Sequence, residues 1–186
     1  LDWKLMKNLI RLGTPSGAEM LLNVLAFNMV VLAFHSYGLV EASAVTITFN
    51  WDLVSFVPLI GVGIGVTSLV GRYMGAGNPD LAHRATMSGV KLAAIYTSIT
   101  FTTFCLFPAA MVQVFRPAEE SAMFQEISTM AIFMVRLMVL YLFADAMSIV
   151  FSSALRGAGD TFWTMVISVS GHWLLALIAL IMVRWI

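Results

Sequence analysis

Apolar residues along this chain occur in five long stretches, and a short polar connection separates each stretch from the next. The stretches cover about residues 12–34, 42–69, 85–107, 127–155 and 161–183. Each is at least as long as the roughly 20 residues that a spanning helix needs. Spanning strands are excluded, because the runs are far too long and an open sheet edge is not tolerated in lipid. The pattern predicts an all-α fold, a polytopic transmembrane bundle of about five spanning helices.

The composition favours a lipid bilayer as the surroundings of this bundle. Of the 186 residues, 60% are hydrophobic and 11% are charged, whereas soluble domains carry about 25% charged residues. The net charge is zero, so nothing indicates a nucleic-acid partner. The sequence begins without methionine and ends inside an apolar stretch. We therefore expect it to be a piece of a longer protein.

Two of the connections share a sequence, Gly75-Ala76-Gly77-Asn78 and Gly157-Ala158-Gly159-Asp160. Glycine is typical of a helix C-cap, and Asn or Asp is typical of the N-cap of the helix that follows. The pattern indicates either a weak internal repeat or two similar helix caps, and both interpretations stay open on the sequence alone.

Basic residues are concentrated at one set of helix ends. That set contains Lys4, Lys7, Arg11, Arg72, Arg84, Lys91 and Arg156, whereas the other set contains Arg116 and Arg184. Cytoplasmic loops are enriched in Lys and Arg, so we expect the N-terminus of the chain in the cytoplasm of a plasma (inner) membrane protein. Residues 2–11 are expected to form a short amphipathic lead-in at the inner interface.

Several polar residues fall deep inside the predicted spans. At a rise of ~1.5 Å per residue from the nearest inner basic residue or loop, Asp145, Glu19 and His172 lie about 16, 12 and 18 Å deep. A carboxylate at the bilayer centre costs at least ~2.5–3.5 kcal/mol, so such residues need a reason. Asp52 and Arg136 come out at about 30 Å, at the outer interface, where they need no function.

The deep polar residues lie on defined helix faces. Glu19 and Asn23 are four positions apart and share one face. A second face, at spacing i, i+4, i+7, i+11, comprises Tyr141, Asp145, Ser148 and Ser152. Such faces make hydrogen bonds between helices or line a cavity that holds a cation or proton. We carry the second hypothesis forward: the coupling residues would be Asp145, Tyr141, Glu19 and Asn23, and the possible substrate cavity would be lined by Ser148, Ser152 and His172.

The second stretch combines a proline with closely spaced glycines. Pro58 removes a backbone hydrogen bond, and Gly61 and Gly65 form a small-xxx-small pair. These features predict a bent helix that packs closely against a neighbour through Gly61 and Gly65.

Three motifs resemble the multidrug and toxic compound extrusion (MATE) transporters. They are RLGTPSG at residues 11–17, VPLIGVGIG at 57–65 and ALRGAGDT at 154–161. In this order and spacing the motifs look like the second of the family's two six-helix lobes. The resemblance implies a transporter of twelve helices that exports drugs in exchange for Na⁺ or H⁺, with no other cofactor. The acidic residues near the midplane suit cationic small organic compounds as cargo. The first lobe and the last helix would then be missing partners.

The resemblance also implies roles for individual residues. Asp145 and Tyr141 match the family's cation-site aspartate and the tyrosine one turn before it, so Na⁺ at Asp145 is one expectation. The acidic residue of the first helix of this lobe falls at Asn23, which is a departure, and Glu19 is expected to substitute. That departure leaves the choice between Na⁺ and H⁺ open.

Three alternatives belong to other functions. A flippase for lipid-linked saccharides is the related transporter, but its group favours cationic cavities, and the midplane here is acidic. An intramembrane aspartyl protease is suggested only by the Gly-x-Gly-Asp pattern at residues 157–160, and it needs a second aspartate. Asp160 is better explained as a helix cap, so we expect no enzyme. A non-transporting helical subunit is the third alternative, and the buried carboxylates argue against it.

Overall fold

The computed structural model describes residues 2–117 and 122–185, with side chains as far as Ile181 in the last helix. The described residues form seven helices and no strand: α1 (Trp3–His35), α2 (Leu39–Gly75), α3 (Pro79–Leu106), α4 (Pro108–Gln113), α5 (Ala122–Met138), α6 (Leu142–Gly157) and α7 (Thr161–Trp185). Among them, α1, α2, α3 and α7 are each long and apolar enough to cross a membrane, and α5 with α6 is a fifth candidate span if the pair is counted as one. The predicted all-α bundle of about five spanning helices is confirmed. The side chain of Arg184, which entered the charge count, lies outside the described residues.

Two features differ from the sequence-based expectation. Residues 2–11 are not a separate lead-in, because α1 runs unbroken from Trp3 and is capped by Asp2, whose side chain accepts from Lys4 N and Leu5 N. The fourth predicted span is not one helix, because α5 and α6 meet at a bend of 51°. At the break the N–H groups of Leu140 and Tyr141 donate to carbonyls only three residues back, which tightens the chain into turns.

The two Gly-Ala-Gly corners have the same backbone structure. Gly77 and Gly159 have φ of 70° and 95°, a region that glycine adopts without a steric cost. The N–H groups of Asn78 and Asp160 each donate to the carbonyl five residues back, at 2.9 and 3.0 Å. The same two side chains then cap the following helix by accepting from the N–H three residues on. Each corner therefore ends one helix and begins the next in the same way, whether or not the two arose from an internal repeat.

Most of the buried apolar residues lie among α2, α3, α5 and α6, which we call the four-helix bundle. One cluster centres on α5 and includes Ala131, Val135 and Met138. Another centres on α6 and includes Ala146 and Val150. The remaining long helices, α1 and α7, pack mainly on each other and form the α1–α7 pair. Its core is small, comprising Ala26, Val30 and Ala176.

Close helix approach in the bundle depends on glycines other than the two that were predicted. A Cβ built on Gly61 or Gly65 would have no neighbour within 4 Å, so close packing through this pair is wrong. A Cβ on Gly63 would lie 2.6 Å from Ser153 Oγ, and one on Gly157 would lie 2.6 Å from the backbone oxygen of Thr67. The glycine run of α2 offers two helix faces, and α6 packs on the face that carries Gly63 rather than the opposite one.

Pro58 leaves α2 unbroken but frees one backbone acceptor. Proline has no N–H, so the carbonyl four residues earlier, that of Val54, loses its helical donor. The Tyr96 hydroxyl of α3 donates to this oxygen at 2.9 Å. A freed backbone group inside a membrane needs such a partner, and here the partner also ties α3 to α2.

Candidate cation site

Asp145 lies in the first turn of α6, directly after the break in the fourth span. The partial positive charge of the α6 N-terminus favours a carboxylate at this position. The residue is half-buried. Within residues 2–117 and 122–185, no group donates a hydrogen bond to its side chain. A half-buried carboxylate without a donor is available to a ligand.

Tyr141 is the last residue of the break and the N-cap of α6. Its carbonyl accepts from Asp145 N at 2.9 Å, which sets the two residues one turn apart. Its hydroxyl donates to Asp52 Oδ1 of α2 at 2.8 Å. Asp52 was expected at the outer interface without a function, and the structure instead joins it to Tyr141.

His172 of α7 completes this group of side chains. The Asp145 carboxylate lies within electrostatic reach of both Asp52 and His172. The Nδ1 atom of His172 is 2.8 Å from the carbonyl oxygen of Ser168. Because a carbonyl only accepts, Nδ1 must carry a proton, and Nε2 is left as an acceptor when the ring is neutral.

The two serines of the predicted polar face lie farther along α6. Ser148 is exposed and Ser152 is half-buried. They extend the polar face of Asp145 towards the end of α6 that carries Arg156, as the helical spacing predicted. Their role as cavity-lining residues stays a prediction.

Asn23 belongs to the interface within the α1–α7 pair. Its Nδ2 donates to Ser168 Oγ at 2.8 Å. Its Oδ1 is buried and has no hydrogen-bond partner among the described residues. Ser168 therefore links Asn23 to His172, and Asn23 reaches the site through α7 rather than directly.

Glu19 is paired with a base rather than grouped with Asp145. Its Oε1 is 2.7 Å from Arg156 Nη2, and its side chain is only 5% exposed. Arg156 and Asp145 are eleven residues apart on one helix, which corresponds to about 16 Å along the axis. The expectation that Glu19 and Asp145 line one cavity is therefore wrong. Depth counted from Arg11 misplaced Glu19, because α1 extends to Trp3 and its inner end does not coincide with Arg11.

The site presents several kinds of hydrogen-bond acceptor, namely carboxylates, a phenol oxygen and an imidazole nitrogen, and it is not a compact metal centre. Among the described parts of the chain, no three His, Cys, Asp or Glu residues are grouped closely enough to hold a metal ion. A Na⁺ ion at Asp145 would therefore need oxygen ligands of other kinds, such as the Tyr141 hydroxyl, serine hydroxyls, backbone carbonyls or water. A proton or an organic cation needs fewer ligands.

Comparison with known proteins places the chain among transporters. The MatE family model matches residues 15–182. The multidrug resistance protein MdtK of Pectobacterium atrosepticum is 31% identical over 180 residues, and that of Yersinia pseudotuberculosis serotype O:1b is 27% identical over 176 residues. Each alignment covers 95% of this chain and 37% of the relative. The chain thus spans little more than a third of the length of these relatives.

Solved structures show the same fold. A MATE transporter in complex with MaL6 has a TM-score of 0.82 at 21% identity, over 93% of this chain and 37% of that one. A MOP superfamily transporter from Pyrococcus furiosus has a TM-score of 0.81, also at 21% identity and the same coverage, and is described as having a binding pocket of reverse polarity that suggests a different function. Together with the family match over residues 15–182, these findings establish that the chain belongs to the MatE family of transporters.

Proposed function

We propose that this chain forms part of a secondary active efflux transporter that exchanges cationic drugs or other toxic organic compounds for H⁺ or Na⁺. The family membership and the relatives named multidrug resistance proteins support this function. Since the chain spans 37% of those relatives, the rest of the transporter has to be supplied by a first lobe and a last helix. Sites in such transporters lie between repeats.

The observation that carries the proposal is the position of Asp145. It is a half-buried carboxylate without a hydrogen-bond donor among the described residues, next to a break in a spanning segment. Transporters place ion and substrate sites at discontinuous helices, because the unwound backbone provides free polar groups at depth. An acid inside a membrane is costly, and binding a proton or a cation offsets that cost.

The charges around Asp145 favour a cationic cargo. The described side chains of the site are two carboxylates, a phenol and an imidazole. Arg156 lies at the far end of α6 and is paired with Glu19. This distribution argues for efflux of organic cations and against a flippase for anionic lipid-linked saccharides.

The membrane arrangement is part of the same proposal. We place the protein in the plasma (inner) membrane with the N-terminus of this chain in the cytoplasm. The seven basic residues at one set of helix ends support this orientation.

The test is Asp145→Asn in a complete transporter that contains this segment, assembled in vesicles. We expect coupled dye efflux to be lost, because an amide does not bind and release a proton or balance a bound cation at this position. The protein should still reach the membrane in wild-type amounts, since the two side chains are nearly isosteric. Efflux is measured against imposed pH and Na⁺ gradients.

The matched control is Asp80→Asn, the same chemical change at an exposed position in the first turn of α3. It should leave efflux unchanged. If Asp145→Asn retains wild-type efflux with the same dependence on pH and Na⁺, the assignment is wrong and Asp145 is a structural residue.

A further inference from the structure

The Tyr141 hydroxyl has a fixed orientation because of Asp52. A phenol carries a single hydrogen, and here it points to Asp52 Oδ1 at 2.8 Å. An ionised carboxylate has no hydrogen to give back, so the direction of this bond cannot reverse. The Tyr141 oxygen is left with lone pairs for any other partner.

The other groups of the site also present acceptors. The Asp145 carboxylate is within electrostatic reach of the Tyr141 hydroxyl, and it accepts hydrogen bonds when ionised. His172 uses its Nδ1 hydrogen on the Ser168 carbonyl, which leaves Nε2 as an acceptor in the neutral ring. Serine hydroxyls such as that of Ser148 rotate and set no direction.

We propose that Asp52 is a positioning residue that makes this site selective for organic cations carrying an N–H donor. By holding the Tyr141 hydrogen, Asp52 prevents the phenol from donating to Asp145 or to cargo. The site then offers acceptors from three helices, α2, α6 and α7, without a competing donor. This inference rests on the proposed efflux function and specifies the cargo of the same site.

The chemistry separates two kinds of cation of similar size. A protonated tertiary amine can donate its N–H to the Tyr141 oxygen or to Asp145, whereas its N-methylated quaternary analogue has no hydrogen to donate. A site built from acceptors loses a hydrogen bond with the second kind and keeps only the electrostatic attraction. We expect the protonated amine to bind about tenfold more tightly.

The experiment measures this ratio of dissociation constants on the purified complete transporter, with a fluorescent tertiary amine and its N-methylated quaternary analogue. In Asp52→Leu the ratio should fall from about tenfold to about threefold, because the freed hydroxyl turns its hydrogen into the site while Asp145 still accepts from the amine. Tyr141→Phe should give the same result with minimal disturbance of packing. The double variant should show no further change, since both substitutions remove one interaction.

Two controls distinguish positioning from a general loss of structure or charge. Asn50→Leu alters an exposed α2 side chain whose amide bonds within its own helix, and the ratio should remain at the wild-type value. Asp52→Glu keeps a carboxylate that can accept the Tyr141 hydrogen and should retain most of the ratio. An unchanged ratio in Asp52→Leu or Tyr141→Phe, an absent preference in the wild type, or an equal loss in Asp52→Glu and Asp52→Leu would each overturn the inference.

Binding and transport separate this inference from the proposed function. A transporter that prefers the protonated amine but shows no ion-coupled efflux contradicts the proposed function and leaves the role of Asp52 intact. A transporter that couples efflux but binds both cations equally contradicts only the role of Asp52.

Discussion

The four-helix bundle and the α1–α7 pair are built by different means. In the bundle, helices approach until backbone meets backbone, as at Gly157 and Thr67, and two apolar clusters fill the interior. In the pair, the buried core is three small apolar residues. Buried polar atoms without partners among the described residues occur in both units: Asn23 Oδ1 and Trp173 Nε1 in the pair, and Thr97 Oγ1 and Arg156 Nε in the bundle. The comparison shows that one membrane chain can combine a unit with a large apolar interior and a helix pair whose buried apolar core is small.

The two units meet at a few defined places. The Glu19–Arg156 ion pair joins α1 to α6, and the rings of Phe27 and Phe49 join α1 to α2 with centroids 5.0 Å apart. The corner between α6 and α7 connects them covalently. Since His172 belongs to the pair while Asp52, Tyr141 and Asp145 belong to the bundle, the candidate site lies across this junction.

The largest expected effect concerns the bundle. Gly157→Val should lower the free energy of unfolding by about 3 kcal/mol, at the upper end of overpacking costs, because the new side chain meets the rigid backbone of α2. The matched change in the pair, Gly171→Val, introduces a Cβ with no neighbour within 4 Å. It should cost well under half as much. Unfolding of the chain in mixed detergent micelles measures both, and equal losses would remove the distinction between the units.

An intermediate effect is expected at the junction. Arg156→Gln should cost about 2 kcal/mol, a value reduced from that of fully buried pairs because Arg156 is partly exposed while Glu19 is left buried without its partner. Replacing both residues, Glu19→Gln with Arg156→Gln, should recover part of the loss. Denaturant titration gives the values. A double variant no more stable than Arg156→Gln alone would show that these two side chains do not stabilise each other.

The smallest effect is expected inside the pair. Asn23→Leu removes one hydrogen bond to Ser168 and also a buried oxygen without a partner, so the two terms nearly offset each other and stability should change by less than about 0.5 kcal/mol. In the bundle, Tyr96→Phe leaves the Val54 carbonyl without a donor and should cost about 1 kcal/mol. Thermal unfolding midpoints rank the two variants. A larger loss of stability in Asn23→Leu than in Tyr96→Phe would mean that hydrogen bonds stabilise the α1–α7 pair at least as much as the bundle.

The spanning segments and the Tyr141–Asp145 relation followed from the sequence because both are local. The length of an apolar stretch identifies a spanning segment, and a separation of four positions places Tyr141 and Asp145 about one helical turn apart. The partner of Tyr141 was missed because Asp52 is 89 positions away, and no spacing rule reaches that far. One signal was available: Asp52 is an acid within the apolar stretch 42–69, and an acid inside a membrane calls for a partner.

Two further errors have equally specific causes. Five residues with glycine at every second position present two glycine faces, and sequence spacing does not tell which face meets a neighbour. The small-xxx-small spacing favours Gly61 and Gly65, whereas α6 packs against Gly63. Glu19 was placed by counting from Arg11 along a helix of 33 residues, which is about 50 Å long and exceeds the ~30 Å apolar core. The count from Arg11 therefore does not determine where α1 enters the apolar core from the cytoplasmic side.

The break between α5 and α6 has a consequence for how the protein enters the membrane during synthesis. The two helices have 17 and 16 residues, or about 26 and 24 Å, so each is shorter than the ~30 Å core. We therefore expect the two halves to enter the bilayer together, after the ribosome has delivered both. By then α2 has already been synthesised, so the Asp52 carboxylate is present in the bilayer when the Tyr141 hydroxyl arrives. Because α2 is translated first, the Tyr141 hydroxyl has its hydrogen-bond acceptor, the Asp52 carboxylate, as soon as the α5–α6 segment inserts.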